Sequence, residues 1–203
     1  MVTDINGLIA EIRRLQDEME RRWEALRQQF QYTLEGRKVR FAAEVRQLHR
    51  RSRVGILRYL RETPFRHIAT APVIYAMVVP LALVDVALML YQHTCFRAYG
   101  IQRVMRRDYL VIDRHHLDYL NGIEKLNCMY CGYANGLMSF AQEVVARTEQ
   151  FWCPIKHARR VRGRHDRYYA FSDYGDAQAY QAELLKQRAV LAGELDEEDW
   201  TGA

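Results

Sequence analysis

The chain has 203 residues, of which 49% are apolar, 11% aromatic and 27% charged, with a net charge of +5. That length suits one domain, or a small domain with a long helical arm, and the apolar share excludes a wholly disordered chain. Eleven glycines and four prolines exclude collagen-like or low-complexity architecture, and four cysteines are too few for a disulfide scaffold.

The first stretch reads as a long amphipathic helix. Leu8, Ile12, Leu15, Met19, Trp23, Leu26, Phe30 and Leu34 follow one another at spacings of three and four, with Glu, Arg and Gln between them. Asp4 or Asn6 is placed to cap its start, and Gly36 to break or kink it. Spacing of this kind sustained over almost four heptads forms either a coiled coil, implying a homo-oligomer, or a helix lying on its own domain. Met1 to Asp17 lacks a basic segment followed by an apolar one, so a cytosolic N-terminus is expected. Phe41, Val45 and Leu48 resume the pattern amid arginine: ten Arg or Lys stand against three Glu between Glu35 and Arg66. Arginine pairs with phosphate through a fixed fork, so anionic lipid headgroups or nucleic acid are the expected partners.

Composition changes abruptly at Ile68. Val73 to Tyr91 is nineteen residues with one charge, Asp85, and one proline, Pro80. About 20 residues at 1.5 Å each cross a hydrocarbon core, so the length fits a membrane helix. The energy is marginal: ten Val, Leu or Ile contribute about −3 to −6 kcal/mol, and one central Asp costs about +2.5 to +3.5 kcal/mol. Asp85 therefore needs a partner or an interfacial depth. Arginines flank both ends (Arg58, Arg61 and Arg66 before, Arg97, Arg103, Arg106 and Arg107 after), which leaves three geometries: a span, a re-entrant or interfacial helix turning near Pro72 or Pro80, or a buried core helix. An inner or cytoplasmic membrane is the expected location.

Beyond it, Gln92 to Asp108 reads as irregular, Asp113 to Glu124 as a short helix interrupted by Gly122, and Asn127 to Gly136 as a loop. A helix capped by Asn135 is expected over Leu137 to Phe151, then a polar connector from Arg159 to Asp173 and a final helix over Asp176 to Leu195. The fold class is mainly α. Four regions follow in order: an arm over 1–62, the apolar helix over 67–92, a Cys/His domain over 108–170, and a C-terminal helix with an acidic tail over 176–203.

Chemistry concentrates in Cys128-Met-Tyr-Cys131 and Cys153-Pro-Ile-Lys-His157. In a tight turn, a two-residue spacer lets two thiolates converge on one ion. On a helix begun by Pro154, Cys153 and His157 would share a face. Three sulfurs and one imidazole fit tetrahedral zinc, with iron as an alternative, and a filled set of this kind is structural. A redox-active Cys128–Cys131 pair and plain buried thiols are the other readings. Lone Cys95 reads as packing. A second constellation of Asp113, His116, Glu143 and Glu149 would suit an oxygen-rich metal or a membrane-surface enzyme, although no Glu-x-x-His pair is present; helix caps and surface ion pairs are the plainer explanation. The basic run from Lys156 to Arg167 lies among aromatics able to stack bases, but no RNA-recognition, helix-turn-helix or KH signature accompanies it, so nucleic acid is the lesser reading.

The NCxYCGYxNG and EQFWCPIKH elements, with the preceding apolar segment, resemble a family of bacterial membrane proteins over roughly Ile68 to Arg160. The resemblance implies membrane association and a functional role for both cysteine elements, and carries no activity with it.

Overall fold

The computed structural model describes residues 5–29, 32–35 and 38–195. The fold is mainly helical, as expected, and forms two compact units, each made of two separate stretches of chain: Met1–Ala69 with Ile112–Met129, and Thr70–Val111 with Tyr130–Ala203.

In the first unit α1 covers Ile5–Gln29. The helix places Asn6 inside its first turn rather than at a cap, while Asp4, Phe30 and Gly36 lie outside the described residues. Ile12, Leu15, Met19, Trp23 and Leu26 are all exposed, at 43–54%. The helical pattern does not reach Leu34 as the spacing predicts. Strands β1 (Tyr32–Glu35) and β2 (Lys38–Phe41) form an antiparallel hairpin, with Leu34 opposite Val39 and Tyr32 opposite Phe41. Alternation of apolar and polar residues over four positions is a strand signal, and here it overrides the helical one. Two short helices follow, α2 (Ala43–Arg51) and α3 (Ile56–Glu62). His49 packs edge-on between Phe41 and Tyr119, and Arg46 donates from Nε to Asp118 at 2.9 Å, closing the unit.

The apolar segment runs as α4 (Phe65–Ala76), α5 (Val78–Tyr91), a π turn over Gln92–Phe96 and α6 (Arg97–Tyr99). Together these form one helix of 35 residues, whose most apolar 18-residue stretch has a mean hydropathy of 2.4. The break at Met77 has a local cause. Pro80 lacks an N–H, and its ring crowds the carbonyl of Ala76, the last residue of α4. The chain does not turn back at Pro72 or Pro80, and the irregular stretch expected from Gln92 to Asp108 is confined to 101–105, between the helix end at Tyr99 and the next short helix at Arg106. It stops at Gly100, whose φ of +70° suits a residue without Cβ, and the Ile101 N–H then returns to the Phe96 carbonyl at 2.9 Å.

The core of the second unit is built on Phe96, Leu137, Phe140 and Val144, all fully buried, with Ile101, Val104 and Leu191 around them. Short helix α7 (Arg106–Tyr109) leads to Leu110, which packs against this cluster. The long helix α8 covers Gly122–Trp152, and α9 covers Tyr180–Ala192, a shorter span than the expected Asp176 to Leu195. The start of α8 is a reciprocal cap. Asn121 Oδ1 accepts from the N–H groups of Ile123 and Glu124 at 3.0 Å, and Glu124 Oε2 accepts from the Asn121 N–H at 2.8 Å. Gly122 therefore begins a helix instead of interrupting one.

Gly136 is a point of close approach. A Cβ there would lie 2.7 Å from the Tyr109 carbonyl oxygen and 3.0 Å from Leu110 Cα, both of them backbone atoms. Overpacking of this kind costs about 1–3 kcal/mol, while alanine gains about 1 kcal/mol over glycine in a helix. Gly136→Ala should therefore lower stability by up to about 2 kcal/mol, read as a fall in the thermal midpoint by circular dichroism.

Candidate functional site

Cys128, Cys131, Cys153 and His157 do not converge. The stretch expected as a loop between Asn127 and Gly136 lies inside α8, so Cys128 and Cys131 are residues of that helix. Asn135 is no cap. It sits mid-helix, and its Nδ2 donates to the Cys131 carbonyl at 2.9 Å. Cys153 follows Trp152 at the far end, and 22 residues at 1.5 Å each place it about 33 Å from Cys131. No helix joins Cys153 to His157. Pro154 instead ends α8, and the chain runs extended, with Ile155 bridged to Ser172 and the Lys156 N–H donating to the Ser172 carbonyl at 2.8 Å. His157 is exposed. Its N–H donates to Tyr168 Oη at 2.6 Å, and its ring stacks on that tyrosine. Burial, with the Glu149 carboxylate adding to it, pushes the Cys153 thiol above the usual range, so it stays protonated at neutral pH. All four cysteines are free, and among the described residues no group of three or more His, Cys, Asp or Glu is placed to hold a metal ion. These residues do not fit one shared tetrahedral zinc or iron, and a metal-stapled C-terminal domain is not shown.

The second constellation also separates into parts with their own partners. In the first unit Asp113 and His116 line a cleft of about 190 Å³ with Val39, Phe41 and Arg114. Asp113 directly precedes the single 3-10 turn Arg114–His116, and its carbonyl accepts from the His116 N–H at 3.0 Å. Glu143 and Glu149 belong to the second unit and are held there by Arg147, Arg167 and His165. Glu143 Oε1 accepts from Arg147 Nε at 2.8 Å and from Arg167 Nε at 3.0 Å, and His165 Nε2 pairs with Glu149 at 2.9 Å. The chain of contacts continues inward: Arg167 donates to Gln150 Oε1 at 3.0 Å, and Gln150 Nε2 donates to Gln187 Oε1 at 2.7 Å. Gln150 and Gln187 are fully buried, so this network ties α8 to α9 and to the 3-10 turn Asp166–Ala170. Arg167, read from sequence as part of a basic patch, is therefore a structural residue.

Asp85 of the apolar helix has the partner it is expected to need, Arg106, which no spacing in the sequence identifies. Asp85 is buried, and Arg106 grips its carboxylate with two hydrogen bonds, Nε to Oδ1 at 2.9 Å and Nη2 to Oδ2 at 2.6 Å. Tyr133 adds its hydroxyl to Oδ2 at 3.1 Å. Leu81, Asp85, Leu88, Gln92 and Phe96 thus form the inward stripe, at steps of three and four. The opposite stripe is Val79, Leu83, Val86 and Leu90, exposed at 60–68%. A helix on the surface of a soluble domain places polar residues on such a face. Here the face is wholly aliphatic.

Two outcomes follow. Spin labels on Cys131 and Cys153, with Cys95 and Cys128 changed to Ser, should give a distance distribution centred near the ~33 Å helix length. A separation below about 15 Å would bring the two sulfurs back within reach of a common site. For Glu143, burial raises the pKa, but the hydrogen bonds from Arg167 and Arg147 outweigh it and leave the carboxyl below the usual glutamate range. A carboxylate lowered in the folded state stabilises fully above its unfolded value of about 4.3, and that contribution is lost as pH falls through the lower folded value. Glu143→Gln should cost about 1.5–3 kcal/mol at pH 7 and flatten the acid limb of a stability–pH curve measured in denaturant.

Compared with known proteins, the chain matched no family model, no curated protein and no solved structure.

Proposed function

We propose that this chain is a membrane-associated helical protein whose α4–α6 helix enters the bilayer by its aliphatic face, while the outer side of α8 faces water. The observation that supports this is the pair of opposed stripes on the helix. One side is anchored by Asp85, Arg106 and the Phe96 core, and the other offers Val79, Leu83, Val86 and Leu90 with nothing polar among them. One helix is long and apolar enough to cross a membrane. Arg97 and Tyr99 at its C-terminal end are residue types that favour the level of lipid headgroups. Polar groups on the outer side of α8, among them the exposed Asn135, Ser139 and Gln142, favour a wet environment for that helix.

Two carboxylates placed on the outward stripe test the reading. At about +2.5 to +3.5 kcal/mol each near a helix centre, they would cancel the whole aliphatic contribution of about −3 to −6 kcal/mol. The wild-type chain should stay in the membrane pellet through high-salt and alkaline washes. Leu83→Asp with Val86→Asp should release it to the supernatant with its helical content unchanged. A wild-type chain recovered monodisperse from a low-salt, detergent-free lysate would overturn the proposal.

The same reading gives α1 the role of an association arm that joins a second copy of the chain. Ile12, Met19 and Leu26 recur at seven-residue steps and stand exposed beside Leu15 and Trp23. Leu15→Glu with Met19→Glu should halve, or reduce further, the mass measured by light scattering in neutral detergent. A wild-type monomer would contradict this role.

A further inference from the structure

We propose that the cleft between the end of α5 and the Arg103–Arg107 segment binds the phosphate of an anionic ligand, and that a phospholipid headgroup supplies it. The second half rests on the membrane reading above. The first half does not.

The cleft has a volume of about 300 Å³, and Met89, His93, Arg103, Met105, Arg106 and Arg107 stand around it. That is small for an organic cofactor, at the low end of ligand cavities in general. Three guanidinium groups line it, with no carboxylate among the lining residues.

Two of the three cations are positioned from behind. Asp85 grips Arg106 through two nitrogens and fixes the plane of its fork. Arg103 Nη1 donates to His93 Nε2 at 3.0 Å. Because arginine only donates, that ring nitrogen is the acceptor, and Nδ1 carries the proton it shares with the Met89 carbonyl at 2.9 Å. His93 therefore orients Arg103 without neutralising it. Arg107 has the carboxylate of Asp108 at 3.6 Å, and both side chains are well exposed, so screening leaves that pair weak. The loop itself is fixed by Gln92, whose buried Oε1 accepts from the Val104 N–H at 2.7 Å. Two guanidinium groups held in place before the ligand arrives, with a third beside them, suit a phosphate, whose oxygens match the planar fork.

The apolar walls point to the source. Met89 and Met105 would serve a free phosphate ion poorly. They would suit the glycerol and first methylenes of a lipid, because the cleft is lined by Met89 and His93, on either side of Leu90, where the aliphatic stripe ends. Positive charge at that level attracts anionic headgroups.

The test is calorimetric titration of the full chain in neutral detergent with short-chain phosphatidylglycerol, inorganic phosphate and short-chain phosphatidylcholine in separate arms. Phosphatidylglycerol should bind saturably, one per chain. Binding should weaken at least ~10-fold in Arg103→Gln with Arg107→Gln, since two of the three cations are removed. Arg106 is left intact so that Asp85 keeps its partner. Arg159→Gln with Arg160→Gln, which removes the same charge elsewhere, should change binding less than ~2-fold. Met105→Glu keeps all three arginines, places a carboxylate in the mouth and should also abolish binding, which covers the case in which the double variant misfolds. Inorganic phosphate binding as tightly as the lipid would keep the phosphate site and overturn its lipid source. No phosphatidylglycerol binding, equal binding of phosphatidylcholine, or indifference to all these variants would overturn the site. A chain that pellets with membranes but shows no saturable headgroup binding loses this inference alone. One that binds phosphate but never pellets loses the membrane reading alone.

Discussion

A carboxylate in the middle of an apolar helix must either be neutralised, be paired, or keep the helix out of lipid. Asp85 is paired, and much of the second unit depends on that pairing. Its two hydrogen bonds to Arg106 and the third from Tyr133 hold one side of the helix against the domain. With that side fixed, geometry determines the other. Positions three and four residues along the same side, Leu81, Leu88, Gln92 and Phe96, turn toward the core, and Val79, Leu83, Val86 and Leu90 turn away from it. An ion pair in such a place stabilises little by itself, because desolvation of both charges offsets their attraction. Loss of one partner is far more costly than loss of both. Its contribution is orientation: it sets which face of an otherwise uniform helix looks outward.

The rest of the second unit supports that orientation from behind. Phe96 and the loop after Gly100 bring Ile101 and Val104 onto Leu137, Phe140 and Val144 of α8. Below them Glu143, Arg147, Arg167, Gln150 and Gln187 form a polar layer in which each named group has a partner. Gly136 lets the Tyr109–Leu110 backbone lie directly on α8, so the segment that carries Arg106 is pressed against the same helix that supplies Tyr133. A polar pair on the apolar helix and a packed aromatic core thus share one scaffold, and neither is complete without α8.

Much of the fold was legible in the sequence where periodicity was strong, and illegible where two signals competed. The three-four spacing through Leu26 marks α1 correctly. The same spacing carried on to Leu34 masks a short alternating hairpin, Tyr32 to Phe41, whose register is set by pairing rather than by a helical face. Uniform Val and Leu identify the apolar helix but say nothing of which side faces in. Only Asp85 and Gln92 mark that side, and on an apolar background Asp85 reads as a cost. Glycines at 132 and 136 beside Cys-Met-Tyr-Cys suggest a turn, since each costs about 1 kcal/mol in a helix. Close packing at Gly136 outweighs that preference, and once the turn becomes helix the cysteine elements lie at its two ends. Glu143 and Arg167 are 24 residues apart in sequence, with no spacing rule to join them, so a buried ion pair resembled a free catalytic carboxylate.

The two-faced helix is tested most directly by a nitroxide scan of residues 79–92 in lipid bilayers, comparing collisions with oxygen, which concentrates in lipid, against a water-soluble nickel complex. Oxygen accessibility should peak at 79, 83, 86 and 90, nickel accessibility should stay low throughout, and 81, 85 and 88 should be shielded from both reagents. High nickel accessibility at 83, 86 and 90, or no alternation between the two stripes, would contradict it.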